Sequence, residues 1–189
     1  MNRRDAIERV ALLVGGTVIG GQLFIAGCKS TPKTVNTLFN SDQVAFLNEV
    51  GDTILPATKT PGAKAADVGS FMAIMVLDCY TPEDQKTFMA GLPKIDEESN
   101  KMFGKKFLDC DAKQRTTLLT YLDKAQKQES KLPKPGKQYQ YFSMIKQMTL
   151  LGYFTSEVGC TQALRYVAVP GHYDGNLPYK KGDKAWALA

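Results

Sequence analysis

Beyond residue 40 the apolar residues recur every three or four positions, and nowhere do they alternate over a useful length. Val44, Leu47, Val50 or Gly51, and Ile54 mark one face of a helix that Asn40 or Ser41 caps and Pro56 stops. Asp67 or Ser70 starts the next. Its Phe71–Leu77 stretch is apolar nearly all round, which predicts the central and most buried helix. Thr81-Pro82-Glu83-Asp84 combines a cap, a proline at the first helical position and two acids at the positive dipole end. That helix runs toward Phe103, with Pro93 as a bend point. Asp111 with Gln114 forms another cap, followed by Leu118, Leu119 and Leu122. Tyr141 to Leu151 is the last long periodic run, and a short helix from Ser156 through Leu164 follows. After Tyr166 the chain is rich in Pro and Gly. The pattern predicts an all-α protein: one helical domain, residues 41–189, with a long irregular C-terminal tail.

The first forty residues follow different rules. Arg3 and Arg4 precede an uncharged run from Val10 to Gly27, and Ile25-Ala26-Gly27-Cys28 has the form of a lipobox. The arginine pair resembles a twin-arginine export signal, which carries proteins already folded across the membrane. The other reading, a permanent membrane span, suits the run less well, because Gly15, Gly16, Gly20, Gly21, Thr17 and Gln22 lower its hydrophobicity. The expectation is a signal over residues 1–27, lipid on Cys28, and a polar tether over residues 28–40.

Charge narrows the function classes. The signal takes three arginines and two acids out of a chain of net charge +5, which leaves +4 spread along the rest. With no Arg/Lys block interleaved with aromatics, nucleic-acid binding is a poor reading. Of the four cysteines, Cys79, Cys110 and Cys160 remain if Cys28 is acylated. An odd number leaves at least one unpaired. Buried thiols are the favoured reading, with Cys160 the candidate for a bridge to a partner cysteine.

Catalytic and cofactor signals are absent from the sequence. There is a single histidine, His172, and no Cys-x-x-Cys, nucleotide-binding glycine motif or nucleophile elbow. No catalytic, cofactor-binding or metal-binding residue is therefore assigned. The tail is the unusual feature. Tyr153, Phe154, Tyr166, Tyr173, Tyr179 and Trp186, with Arg165, are residue types that partner surfaces favour. Two readings stay open: the rings anchor a partner, or the tail wraps back and the rings fill gaps over the helices. In the first, Gly152, Tyr153, Phe154, Arg165, Tyr166, Tyr173 and Glu157 form the interface.

Asp52-Thr-Ile-Leu-Pro-Ala-Thr-Lys-Thr-Pro-Gly-Ala-Lys-Ala-Ala66 resembles the opening motif of the gluconate 2-dehydrogenase subunit 3 family. Thr149-Leu-Leu-Gly-Tyr-Phe-Thr-Ser-Glu-Val-Gly159 and Val169-Pro-Gly-His-Tyr-Asp-Gly175 resemble its later motifs. Tyr80-Thr-Pro-Glu and Gly182-Asp-Lys-Ala-Trp186 also fit, so the resemblance spans about residues 40–187. It implies a small, non-catalytic subunit of a membrane-associated dehydrogenase that oxidises sugars, sugar acids or polyols. The large subunit, of the glucose–methanol–choline type, would hold FAD, and electrons in such complexes often pass to a cytochrome c. It also implies that the small subunit supports export and maturation of the large one. The lipobox departs from some family members. The rival expectations are a free-standing periplasmic ligand-binding lipoprotein and, less favoured, an independent enzyme.

Overall fold

The computed structural model describes residues 34–132, 138–169, 171–172 and 174–187. Five α-helices account for most of them: α1 Ser41–Ile54, α2 Val68–Cys79, α3 Pro82–Phe103, α4 Ala112–Glu129 and α5 Gln140–Thr155. Among the described residues there is no β-strand, and no helix is long and apolar enough to cross a membrane.

Local chemistry starts three of these helices. The Asn40 side chain accepts from the Gln43 N–H at 2.9 Å while the Gln43 side chain accepts from the Asn40 N–H, a reciprocal capping box. Asp111 and Gln114 repeat the arrangement at α4. Thr81 caps α3, with Pro82 in its first turn, and α3 runs on through Pro93. The start of α2 is different. Asp67 has φ of 47° and makes no capping bond. Asn48 of α1 supplies the missing acceptor: its Oδ1 takes the Gly69 N–H at 2.8 Å, while its Nδ2 donates to Asp67 at 2.7 Å. At the other end of α2, Gln85 Nε2 lies within 3.2 Å of the carbonyls of Val76, Leu77 and Tyr80, which no basic residue or glycine serves.

The expectation that α2 is the central helix is corrected. α5 packs substantially against all four other helices. It buries Tyr141, Phe142, Ile145, Met148, Thr149 and Tyr153 among them. α2 buries Val68, Met72, Ala73 and Val76 but leaves Ile74 57 % exposed. All-round apolarity leaves the buried face of a helix unspecified, and it does not say which helix the others surround.

Residues 36–39, expected within a tether of residues 28–40, pack against the helices. Phe39 is buried, edge-on to Phe88 with ring centroids 6.0 Å apart. Asn36 folds residues 36–39 into a turn by accepting from the Leu38 and Phe39 N–H groups, and its Nδ2 donates to the Ala73 carbonyl of α2 at 2.9 Å. The compact unit therefore begins at Thr34.

Two charged clusters tie distant helices. Glu49 of α1 receives Arg115 of α4 at 2.8 Å, and also Lys64. Arg115 reaches further, to the Phe107 and Leu108 carbonyls, with its guanidinium 5.2 Å from the centre of the Phe107 ring. Asp123 of α4 holds Lys127 at 2.7 Å and Lys146 of α5 at 2.5 Å. The Lys64 bond, then Arg115, holds the Glu49 carboxyl below its ordinary value; Lys127 and Lys146 do the same for Asp123.

The cysteines do not behave alike. Cys110 is buried, 3.2 Å from Ser99 Oγ, as expected of a small apolar residue with a weak donor. Cys79 is exposed and Cys160 half-buried, which corrects the reading of three buried thiols. All three are unpaired with one another.

Candidate partner-docking site

At the C-terminal end of α5 one buried side chain supports two surface elements. Tyr153 is 3 % exposed, and its hydroxyl donates to the Pro61 carbonyl at 2.6 Å, across 92 positions of chain. That carbonyl belongs to the loop of residues 55–62. The Ala63 N–H closes the loop's neck on the Leu55 carbonyl at 2.9 Å, and the Thr58 N–H bonds the Thr60 carbonyl at 2.9 Å near its tip. A Cβ on Gly62 would stand 2.6 Å from the Ala57 nitrogen and 2.6 Å from Asp52 Oδ1, so only glycine allows this close fold. Pro56, Ala57, Thr58 and Lys59 project from the loop into solvent.

The second element is the turn after α5. Ser156 Oγ donates to the Tyr153 carbonyl at 2.7 Å and accepts the Gly159 N–H at 3.0 Å. Gly159 lies so close that a Cβ there would sit 1.8 Å from the Tyr153 oxygen. A π-helical turn, Gly159–Ala163, then leads away. The Cys160 thiol donates to the Phe154 carbonyl at 3.2 Å. Phe154 faces outward, its ring edge-on to Tyr153 at 5.1 Å, with Leu150 and Leu151 exposed on the same helix.

Beyond Leu164 the chain leaves the helices and returns to itself. The Arg165 N–H bonds the Ala185 carbonyl at 2.8 Å, and the Ala187 N–H bonds the Arg165 carbonyl at 2.9 Å. The Arg165 guanidinium lies 4.6 Å from the centre of the Trp186 ring and 3.9 Å from the Asp183 carboxylate. Asp183 also accepts the Lys180 N–H at 2.9 Å across a turn in which Gly182 has φ of 99°. Lys184 donates to the Gln162 carbonyl. The result is a loop pinned at its neck. Tyr166, Val167, Leu177 and Trp186 are exposed on it, Val169 is 82 % exposed and Tyr179 77 % exposed. None of them joins the core cluster. The reading in which the rings fill gaps over the helices holds for Tyr153, which joins the core, and not for Tyr166, Tyr179 and Trp186.

The expected interface residues divide. Phe154, Glu157 and Tyr166 are exposed and Arg165 is half-exposed at the loop's neck. Tyr153 and Gly152 are not surface anchors: Tyr153 is the internal support just described, and Gly152 packs so closely that a Cβ would meet the Phe71 ring at 2.6 Å. Cys160 is only half-buried beside them. Tyr173, Cys28, Arg3 and Arg4 lie outside the described residues. Sequence reasoning missed two features. The exposed tip of residues 56–59 lies in a loop that Pro56 and Pro61-Gly62 signal, but nothing local ties it to the site, and the partnership of Arg165 with Trp186 had no local signal either.

Among the described residues no three His, Cys, Asp or Glu side chains converge on a metal position, and His172 is exposed. One open groove of about 390 Å³ lies elsewhere, at the N-terminal end of α1. Phe46, Leu92 and Pro93 line it, with Asp42, Asp96 and Lys106 at its polar edge. Asp96 is already engaged, accepting the Phe107 N–H at 2.9 Å.

Comparison with curated proteins and with solved structures gives no match. The family model does: gluconate 2-dehydrogenase subunit 3 matches residues 41–171, a span that holds all five helices, the Tyr153 junction and the start of the pinned loop, and the chain belongs to that family.

Proposed function

We propose that this chain is the non-catalytic small subunit of a periplasmic FAD-dependent dehydrogenase of the glucose–methanol–choline type, acting on sugars, sugar acids or polyols. The catalytic subunit holds the FAD. This chain supports its export and maturation and ties it to a membrane through lipid on Cys28. A cytochrome c is the further candidate partner, as electron acceptor. The observation that carries the reading is the family match over residues 41–171. The exposed apolar surface at one end of the bundle supports it, because monomers seldom leave such a patch uncovered. Phe154, Glu157, Arg165 and Tyr166 are the docking residues in this reading; Cys160, half-buried beside Phe154, is the candidate for a bridge to the partner.

FAD is loaded before export, so a flavoprotein must cross the membrane folded, and a partner without a signal travels with one that has it. The test replaces Arg3 and Arg4 by lysine and follows dehydrogenase activity in periplasmic and cytoplasmic fractions. Activity should stay in the cytoplasm. A catalytic subunit that still reaches the periplasm would end the escort reading. Mass spectrometry of the chain from its native host should find acylated Cys28 at the N-terminus. The groove beside α1 is the one observation that favours a ligand-binding lipoprotein, since its volume falls in the range of small-molecule sites.

A further inference from the structure

The pinned loop leaves Val169 and Tyr179 largely exposed and Tyr166, Leu177 and Trp186 nearly half so, and none of them joins the core. We infer that the Arg165–Trp186 clasp presents this loop, already shaped, to an acidic surface with apolar pockets on the catalytic subunit. The inference rests on the accessory-subunit reading and says where and how that subunit is held.

Three observations carry it. The first is order. Two backbone hydrogen bonds, a cation over a ring and an ion pair close the loop at one point. Closing a loop at its neck beforehand removes part of the ordering cost from the binding step. The second is area. Tyr166, Val167, Val169, Leu177, Tyr179 and Trp186 offer on the order of 600 Å² of apolar surface, at roughly 150–250 Å² for a fully buried aromatic side chain. A standard interface needs ~800 Å² from each partner, so the loop supplies most of one side. The third is charge. The loop carries Arg165, Lys180, Lys181 and Lys184 against Asp174 and Asp183. Arg165 and Asp183 face each other in the clasp, so the outward balance is basic and the facing surface is acidic. An anionic bilayer also attracts lysine beside tyrosine and tryptophan. Side chains held at fixed positions about the neck suit the pockets of a folded partner better than a fluid surface, and the clasp therefore favours a folded partner.

The test uses the full-length tagged chain in its native host, and the probe is the flavoprotein that co-purifies with it, identified by flavin absorbance and dye-linked dehydrogenase activity. Tyr179→Ala and Val169→Asp should each lower retained flavoprotein by about tenfold or more, with helix content and melting temperature unchanged. Trp186→Ala, which opens the clasp without removing the loop, should lower it severalfold, and Trp186→Phe should restore most of it. Lys180→Glu with Lys181→Glu alters charge alone; it should weaken retention and reduce its dependence on salt, and it keeps the test open if an apolar variant misfolds. If wild type retains the flavoprotein and every loop variant retains it equally, the docking inference falls and the accessory-subunit reading stands. If wild type retains no flavoprotein, both fall. If the variants keep the flavoprotein but lose binding to phosphatidylglycerol vesicles, the loop is a membrane element and the inference is overturned.

Discussion

Two aromatic regions lie within forty residues of each other and meet opposite fates. At the end of α5, Tyr153 turns inward, bonds Pro61 and joins the core. In the pinned loop, Tyr179 is largely exposed and Tyr166 and Trp186 nearly half so, outside the core. Composition does not separate them. What separates them is the element that carries each ring. Tyr153 lies on the helical face of Ile145 and Thr149, so the periodicity that buries those residues buries it too. Beyond Leu164 no periodicity turns a ring toward the helices, and the clasp directs the loop back on itself. Buried aromatics here support the fold; exposed ones are free for a partner.

Removing the internal support tests this contrast hardest. Tyr153→Ala should cost about 3–5 kcal/mol in chemical denaturation, through the cavity and the lost hydrogen bond. Tyr179→Ala should stay within about 0.5 kcal/mol. Equal losses would erase the distinction between the regions. Gly159→Ala comes next, at about 2–3 kcal/mol, because its Cβ would strike the Tyr153 carbonyl oxygen and backbone must move. Tyr153→Phe sharpens the account of the loop at residues 55–62. It keeps the packing, removes the donor to Pro61, and should cost about 1–2 kcal/mol with faster amide exchange in residues 57–63.

Acid is a gentler probe, and it acts on the bundle rather than on the loop. Glu49 and Asp123 both have folded-state pKa values held below the ordinary ones, 4.5 and 3.8. A lowered carboxyl contributes its stability above the unfolded-state value and loses it as pH falls through the folded-state value. Melting temperature should therefore drop as pH falls below about 4.5, and less steeply in Glu49→Gln, which should already be less stable at neutral pH. Trp186→Ala should have the smallest effect on stability, within about 0.5 kcal/mol, while limited proteolysis cuts the loop faster than in wild type. A large stability loss there would mean that the clasp serves the fold.

The chain by itself determined whatever depends on neighbours three or four positions apart. A cap at Asn40 or Ser41, the capping box of Asp111 with Gln114, the Thr81-Pro82 start and the buried face of Leu118, Leu119 and Leu122 were all legible, because each is a short-range bond or a repeat of 3.6 residues. The resemblance in the motifs also named the family that residues 41–171 match. Only the tertiary structure decided that Asn48 would cap α2 from a neighbouring helix, that Phe39 would close the core from within an apparent tether, and that α5 would be central. It alone placed Tyr153 against Pro61 and Arg165 against Trp186. These partners are brought together by the packing of whole helices and by a loop's return, and no local pattern records which distant group a side chain will meet.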